Sequence, residues 1–205
     1  MGIIFQATLL YWATALDLLL ILALLYAKYP HAQHRLISLG QATGSVGLVL
    51  VSFLLAVVFR FVPESWILGF LGLIPVAFGL KYLIFGDNDE AEVAELLEKR
   101  KNKSLFFTAV LISFASCGAD NIGLFTPYLA NLKMADLLLA LGTFLVNIFL
   151  LSLISHRLTH LFPRFSEQLE KYNRWILSIT YIGLGLMILI ESGTISHVIG
   201  LLKGV

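Results

Sequence analysis

Six apolar stretches dominate this chain: residues 4–27, 36–59, 66–85, 105–130, 135–155 and 175–195. Each has the length, roughly 20 residues, that a helix needs to cross the hydrocarbon layer of a bilayer. Inside lipid every backbone N–H and C=O must be bonded within the protein, which leaves helices or closed barrels. The runs are continuously apolar instead of alternating, so they read as helices. Composition agrees: 59% of the 205 residues are hydrophobic and 13% charged, against about a quarter charged in a soluble domain. Mean hydropathy is +0.89. The expected fold class is an all-α membrane protein with six transmembrane helices. The breaks are short: "KYPHAQHR" (28–35), "RFVPES" (60–65), "NLKMAD" (131–136) and the amphipathic "HRLTHLFPRFSEQLEKYNR" (156–174). Only "GDNDEAEVAELLEKRKNKS" (86–104) is strongly polar. Residues 1–27 lack a basic start and run too long for the apolar core of a cleavable signal, so they read as a span.

Lys and Arg predict the orientation. Loops one, three and five, counting Lys81 at the edge of span three, hold eleven; loops two and four and the tail hold three. Basic residues favour the cytoplasmic side, so both termini are predicted external and loops one, three and five cytoplasmic. A net charge of +1 gives no polycationic face for nucleic acid, and a single cysteine excludes an internal disulfide. The partners expected are the lipid bilayer and, in a homodimer, a second copy of the chain.

The two halves echo each other. "ATALD" with Asp17 matches "SCGAD" with Asp120, Gly40 matches Gly142, and "WIL" at Trp66 matches "WIL" at Trp175, at offsets of 103, 102 and 109 residues. Three spans per half is an odd number, so the halves are predicted to lie in opposite orientations. The expected organisation is a single transmembrane domain, 1–205, with repeat one at 1–86, a cytoplasmic loop at 87–104 and repeat two at 105–205. Inverted repeats are typical of secondary transporters, whose substrate site lies near the midplane where the repeats meet.

Asp17 and Asp120 fall near mid-depth of spans one and four. An ionised Asp there costs at least about 2.5–3.5 kcal/mol, and no Lys or Arg lies at that depth in any span. The missing counter-charge is predicted to be a cation, or protons when the site is empty. Thr14 shares a helical face with Asp17; Ser113, Ser116 and Cys117 share one with Asp120, and Asn121 adjoins it. Gly118 is placed to loosen the helix and free carbonyls as ligands. Cys117 has two readings: a small buried hydrophobe, or a soft thiolate ligand that favours soft or borderline metals. Ser113 and Asn147 are as easily packing groups as site groups, whereas Gln41, Thr43 and Ser45 read first as interhelical packing. Gly40 and Gly44 form a GxxxG pair, which predicts close helix contact. His31, His34, His156 and His160 sit in loops and read first as solvated. No HExxH, GxSxG or phosphate loop occurs, so no enzyme and no resident cofactor is expected.

The stretches "ATALDLLLIL" (13–22), "GQATGSVGLVLVS" (40–52), "VPESWILGFLGLIPV" (62–76), "SFASCGADNIGLFTPY" (113–128) and "RWILSITYIGLGL" (174–186) together resemble the CadD family of bacterial cadmium-resistance transporters, in the LysE superfamily of small exporters. The resemblance spans nearly the whole chain. It implies a multi-pass protein of the bacterial plasma membrane that exports Cd²⁺, and Zn²⁺ or other divalents, from the cytoplasm. The expected metal site is Asp17 and Asp120, with Cys117 as soft ligand and Thr14, Ser116 and Asn121 as secondary donors. Proton exchange supplies the energy, since no ATP site is visible. Rival readings are an exporter of Mn²⁺ or of a basic amino acid, or a membrane scaffold that transports nothing.

Overall fold

A computed structural model describes residues 2–61, 65–85, 104–115, 118–158 and 162–202, and every regular element among them is helical. In chain order these are α1 (Ile3–Lys28), a 3₁₀ turn (His31–Gln33), α2 (His34–Phe59), α3 (Ser65–Gly69), a 3₁₀ turn (Phe70–Gly72) and α4 (Leu73–Phe85). Then follow α5 (Leu105–Ala115), α6 (Gly118–Asn131), α7 (Met134–Leu158), α8 (Phe162–Glu191) and α9 (Thr194–Leu202). The polar stretch 86–103 lies outside the described residues.

Three helical segments, His31–Phe59, Trp66–Phe85 and Met134–Arg157, are each long and apolar enough to cross a membrane. Two bent pairs qualify when each is one broken span: Ile3–Leu16 with Ile21–Lys28, bent by 56°, and Trp175–Glu191 with Thr194–Gly200, bent by 59°. The sixth crossing expected from sequence would need α5 and α6 to act together. Pro30 sits between the end of α1 and the 3₁₀ turn, and Gly193, at φ 74°, adopts the left-handed backbone that turns α8 into α9. Such a φ suits glycine because a Cβ would clash.

The side-chain pattern is that of a protein in lipid. On α2 the outward residues are Leu39, Val46, Leu50, Leu54 and Val58, while Gln41, Ser45 and Ser52 are buried. On α7, Leu138, Leu145, Val146 and Phe149 face outward, while Asn147, Ser152 and Ser155 are buried. Polar groups inside and leucine outside is what an apolar solvent favours, because hydroxyls and amides then find partners across helix interfaces. Together with the apolar helices this makes the chain an all-α membrane protein.

The main helix contacts join α1 to α7, α2 to α5 and α6, and α4 to α8. Exchanging the two halves of the chain maps this pairing onto itself. The ends of the helices are also sorted. At one end the Tyr128 hydroxyl donates to the Ile3 carbonyl at 3.4 Å. There, too, Arg60 Nη2 donates to the carbonyls of Leu129 and Leu132, where a cation complements the C-terminus of α6. The Thr194 hydroxyl donates to the Trp66 carbonyl at 2.7 Å, and the Trp66 and His197 rings stack at 4.1 Å. At the other end His34 meets His156, and Gly40 meets the backbone of Phe106. Both described terminal segments thus share an end with connections two and four.

The GxxxG expectation holds. A Cβ on Gly40 would lie 2.6 Å from Ala109 Cβ and 2.7 Å from the Phe106 carbonyl; one on Gly44 would lie 2.7 Å from the Val110 carbonyl. Backbone, not a flexible side-chain tip, is in the way. Gly44→Ala is therefore expected to cost about 1–3 kcal/mol by overpacking and to lower Tm in detergent. Gly142→Ala, with nothing within 4 Å of the new methyl, is the control and should leave Tm unchanged or slightly raised.

A candidate cation site between the halves

The packing of α1 and α2 against α6 leaves a cavity of about 10 Å³, lined among the described residues by Tyr11, Thr14, Ala15, Leu18, Ser45, Leu48, Asn121 and Phe125. That is the size of one water or one ion. Its lining comes from both halves of the chain, and its polar members are Thr14, Ser45 and Asn121, with Tyr11 beside them.

Each polar group reaches the cavity for a local reason. Thr14 is buried in α1, and its hydroxyl donates to the Tyr11 carbonyl at 3.0 Å. The proton is committed to the backbone, so the oxygen lone pairs remain for a ligand. Ser45 lies one turn after Gln41, whose Nε2 donates to it at 3.2 Å. Asn121 is buried, and its Oδ1 has no hydrogen-bond partner. An unmatched buried acceptor costs about 1–3 kcal/mol, so such a group asks for an explanation, and a cation is one. Gln41 Oε1 and Ser113 Oγ are likewise buried without partners, on the facing surfaces of α2 and α5.

Of the residues singled out in the sequence, Thr14 and Asn121 come together across the interface between halves. In the chain, Asp17 lies between Thr14 and Leu18, and Asp120 lies next to Asn121. The side chains of Asp17 and Asp120, and Ser116 and Cys117 as a whole, lie outside the described residues. Asp17 is one of the four residues between the two straight parts of α1, Ile3–Leu16 and Ile21–Lys28. Asn147, open between two readings in the sequence, is a packing strut. Its Oδ1 accepts from Trp12 Nε1 at 2.8 Å, and its Nδ2 donates to the Thr143 carbonyl at 2.8 Å and to the Thr8 hydroxyl at 3.4 Å. Thr43 is exposed and bonded to the Leu39 carbonyl of its own helix, so it neither lines the cavity nor makes the interhelical contact that the sequence reading expected.

Two contributors escaped the sequence reading. Ser45 read as packing, yet it lines the cavity. Tyr11 stands three residues before Thr14 on the same face of α1, a spacing that marks it as a neighbour of any site Thr14 joins.

No curated protein and no solved structure matches the chain. A family model described as cadmium resistance transporter matches residues 11–201, which includes every described residue that lines the cavity. A helical membrane bundle with polar groups turned inward and an ion-sized cavity between its halves suits that description, and the chain belongs to the cadmium resistance transporter family.

Proposed function

We propose that this protein exports a divalent heavy-metal cation, Cd²⁺ and also Zn²⁺, from the bacterial cytoplasm through a site between two inverted three-helix repeats. The observation that carries the reading is the buried, partnerless Asn121 Oδ1, set beside Thr14 in an ion-sized cavity between the halves. In this reading α5 and α6 form one crossing, giving six, and the self-matching helix pairing supports that count. The Asp17 and Asp120 carboxylates neutralise the ion. Asn121, Thr14 and Ser116 supply neutral oxygens, and the Cys117 thiolate supplies softness. With no basic residue at mid-depth, the empty site holds protons, and their exchange for metal couples export to the proton gradient.

The Lys and Arg bias sets the direction: loops one, three and five face the cytoplasm of a bacterial plasma membrane, and both termini are external. A cysteine introduced at Asn88 in a Cys117→Ala background should therefore resist impermeant thiol reagents in intact cells and react after lysis. Ready labelling in sealed cells would reverse the orientation.

Transport itself is read in inside-out vesicles. Cd²⁺ should accumulate when the lumen is acidic and stop when a protonophore removes the gradient. Accumulation unaffected by the protonophore would remove proton exchange from the mechanism. A vesicle that binds Cd²⁺ but never accumulates it would favour a scaffold over a transporter.

A further inference from the structure

The first and fifth connections meet at the end of the bundle away from the described terminal segments, and three histidines converge there. His31 is in the 3₁₀ turn, His34 opens α2 and His156 lies in the last turn of α7. One ring nitrogen from each lies within 4.8 Å of the other two. His34 is buried; His31 and His156 are exposed.

The tautomer of His34 follows from its surroundings. Its Nε2 is 2.9 Å from the Tyr29 carbonyl oxygen. A carbonyl only accepts, so Nε2 carries the proton and Nδ1 keeps its lone pair. That Nδ1 lies 3.0 Å from His156 Nε2. A ring whose far N–H is fixed by a carbonyl while the near nitrogen faces a second imidazole is in the arrangement of a metal-bound histidine. Tyr26 holds the pair. Its ring packs edge-on to His34 and His156, with centroids 5.1 and 5.2 Å away. Its hydroxyl lies 2.7 Å from Ser38 Oγ and 3.1 Å from Ser152 Oγ, tying α1 to α2 and α7.

The spacing suits a metal. Two nitrogens on a tetrahedral ion at about 2.0–2.1 Å stand about 3.3 Å apart. The His34–His156 pair is close to that value, and the exposed His31, with a ring nitrogen within 4.8 Å of both, is the third ligand at hand. A cavity of about 370 Å³, lined by His34, Arg35, Ser38, Leu39 and His156, gives access and leaves room for water as a fourth ligand. The set holds no carboxylate, and the Arg35 charge is nearby. Hard cations that need anionic oxygen are therefore disfavoured, while borderline transition ions bond well to neutral imidazole.

We propose that His31, His34 and His156 form a second metal site, separate from the mid-depth cavity, that binds a divalent transition cation such as Zn²⁺, Cd²⁺ or Co²⁺. Three neutral ligands hold an ion without the charge pairing that would trap it, which suits a loading station. That role, though not the binding, rests on the efflux reading above, in which this end faces the cytoplasm.

The test is a Co²⁺ titration of the full-length protein in detergent, in an Asp17→Asn/Asp120→Asn background that silences the mid-depth site. One equivalent of Co²⁺ should bind with the intense visible absorption of a tetrahedral nitrogen site, and Zn²⁺ should bleach it. His31→Ala/His34→Ala/His156→Ala should abolish the colour. His31→Ala or His156→Ala alone, at exposed side chains and with the apo Tm measured beside the titration, should weaken Co²⁺ at least about tenfold, no less than loss of an outer-shell partner costs. Absence of the colour in the Asp-variant background, or its survival in the triple histidine variant, would overturn the proposal. The histidine variants with both aspartates intact should still bind Cd²⁺ once. Loss of that binding only when the aspartates change, with the Co²⁺ colour unaltered, keeps a failure of one site distinct from a failure of the other.

Discussion

Asp17→Asn and Asp120→Asn are each expected to lower Cd²⁺ affinity by roughly 30-fold to several thousand-fold, the equivalent of about 2–5 kcal/mol for removing one member of a buried, bonded charge pair. The metal-free protein should keep its stability, because its empty site holds protons and each substitution then replaces one neutral group with another of nearly the same shape. Lost binding at unchanged stability separates a site residue from a structural one. Thermal melts show this directly. In a His31→Ala/His156→Ala background, so that the mid-depth site alone responds, Cd²⁺ at a hundred times Kd stabilises the protein by about 2.7 kcal/mol, and that shift should fall below about 1 kcal/mol in both Asp variants while the apo Tm holds. A variant that melts early without metal, or that keeps the full Cd²⁺ shift, would mean the carboxylate holds helices together and binds nothing.

Cys117→Ser is expected to change selectivity more than affinity for every metal at once. It swaps a soft donor for a hard one at nearly constant volume, and the two carboxylates still supply charge. Cd²⁺ should weaken strongly and Mn²⁺ little, because thiolate preference follows softness. The measured quantity is the Cd²⁺/Mn²⁺ affinity ratio by isothermal titration in wild type and variant. An unchanged ratio would make the thiol a packing group and leave the site to oxygen donors.

Much of the fold was legible because lipid simplifies the problem. The apolar runs mark where the described helices lie, to within a few residues for 4–27, 36–59, 66–85 and 135–155 against α1, α2, α3–α4 and α7. The last span differs. "FPRFSEQLEKYNR" read as a separate amphipathic connection, but α8 runs unbroken from Phe162 to Glu191. Pro163 explains the misreading: proline ends helices in their interiors yet is tolerated in the first turn, where its missing N–H has no partner to lose. Helix α9 also lay hidden within the apolar tail, because a left-handed glycine at Gly193 is a backbone event with no apolar signature.

The candidate site was half legible. Helical spacing groups Thr14 with Asp17 and Asn121 with Asp120, but spacing along one helix says nothing about which faces meet. Only the crossing of α1, α2 and α6 adds Ser45 and Tyr11 to the cavity and turns Asn147 towards Trp12 instead. The histidines make the same point more sharply. His31 and His34 are over a hundred residues from His156, and solvated loop histidines are the ordinary case. The usable signal was topological: alternating spans put connections one and five at the same end, so their histidines share a surface.

The central claim is that a cation rests between the halves of the chain, at the carboxylates. Anomalous diffraction at the cadmium edge from Cd²⁺-loaded crystals tests it most directly. A peak is expected in the cavity between α1, α2 and α6, with oxygen donors of Asp17, Asp120, Thr14 and Asn121 at roughly 2.3–2.6 Å, the range for a cation of calcium's size. Cadmium bound elsewhere on the molecule, with no peak in that cavity, would contradict the account.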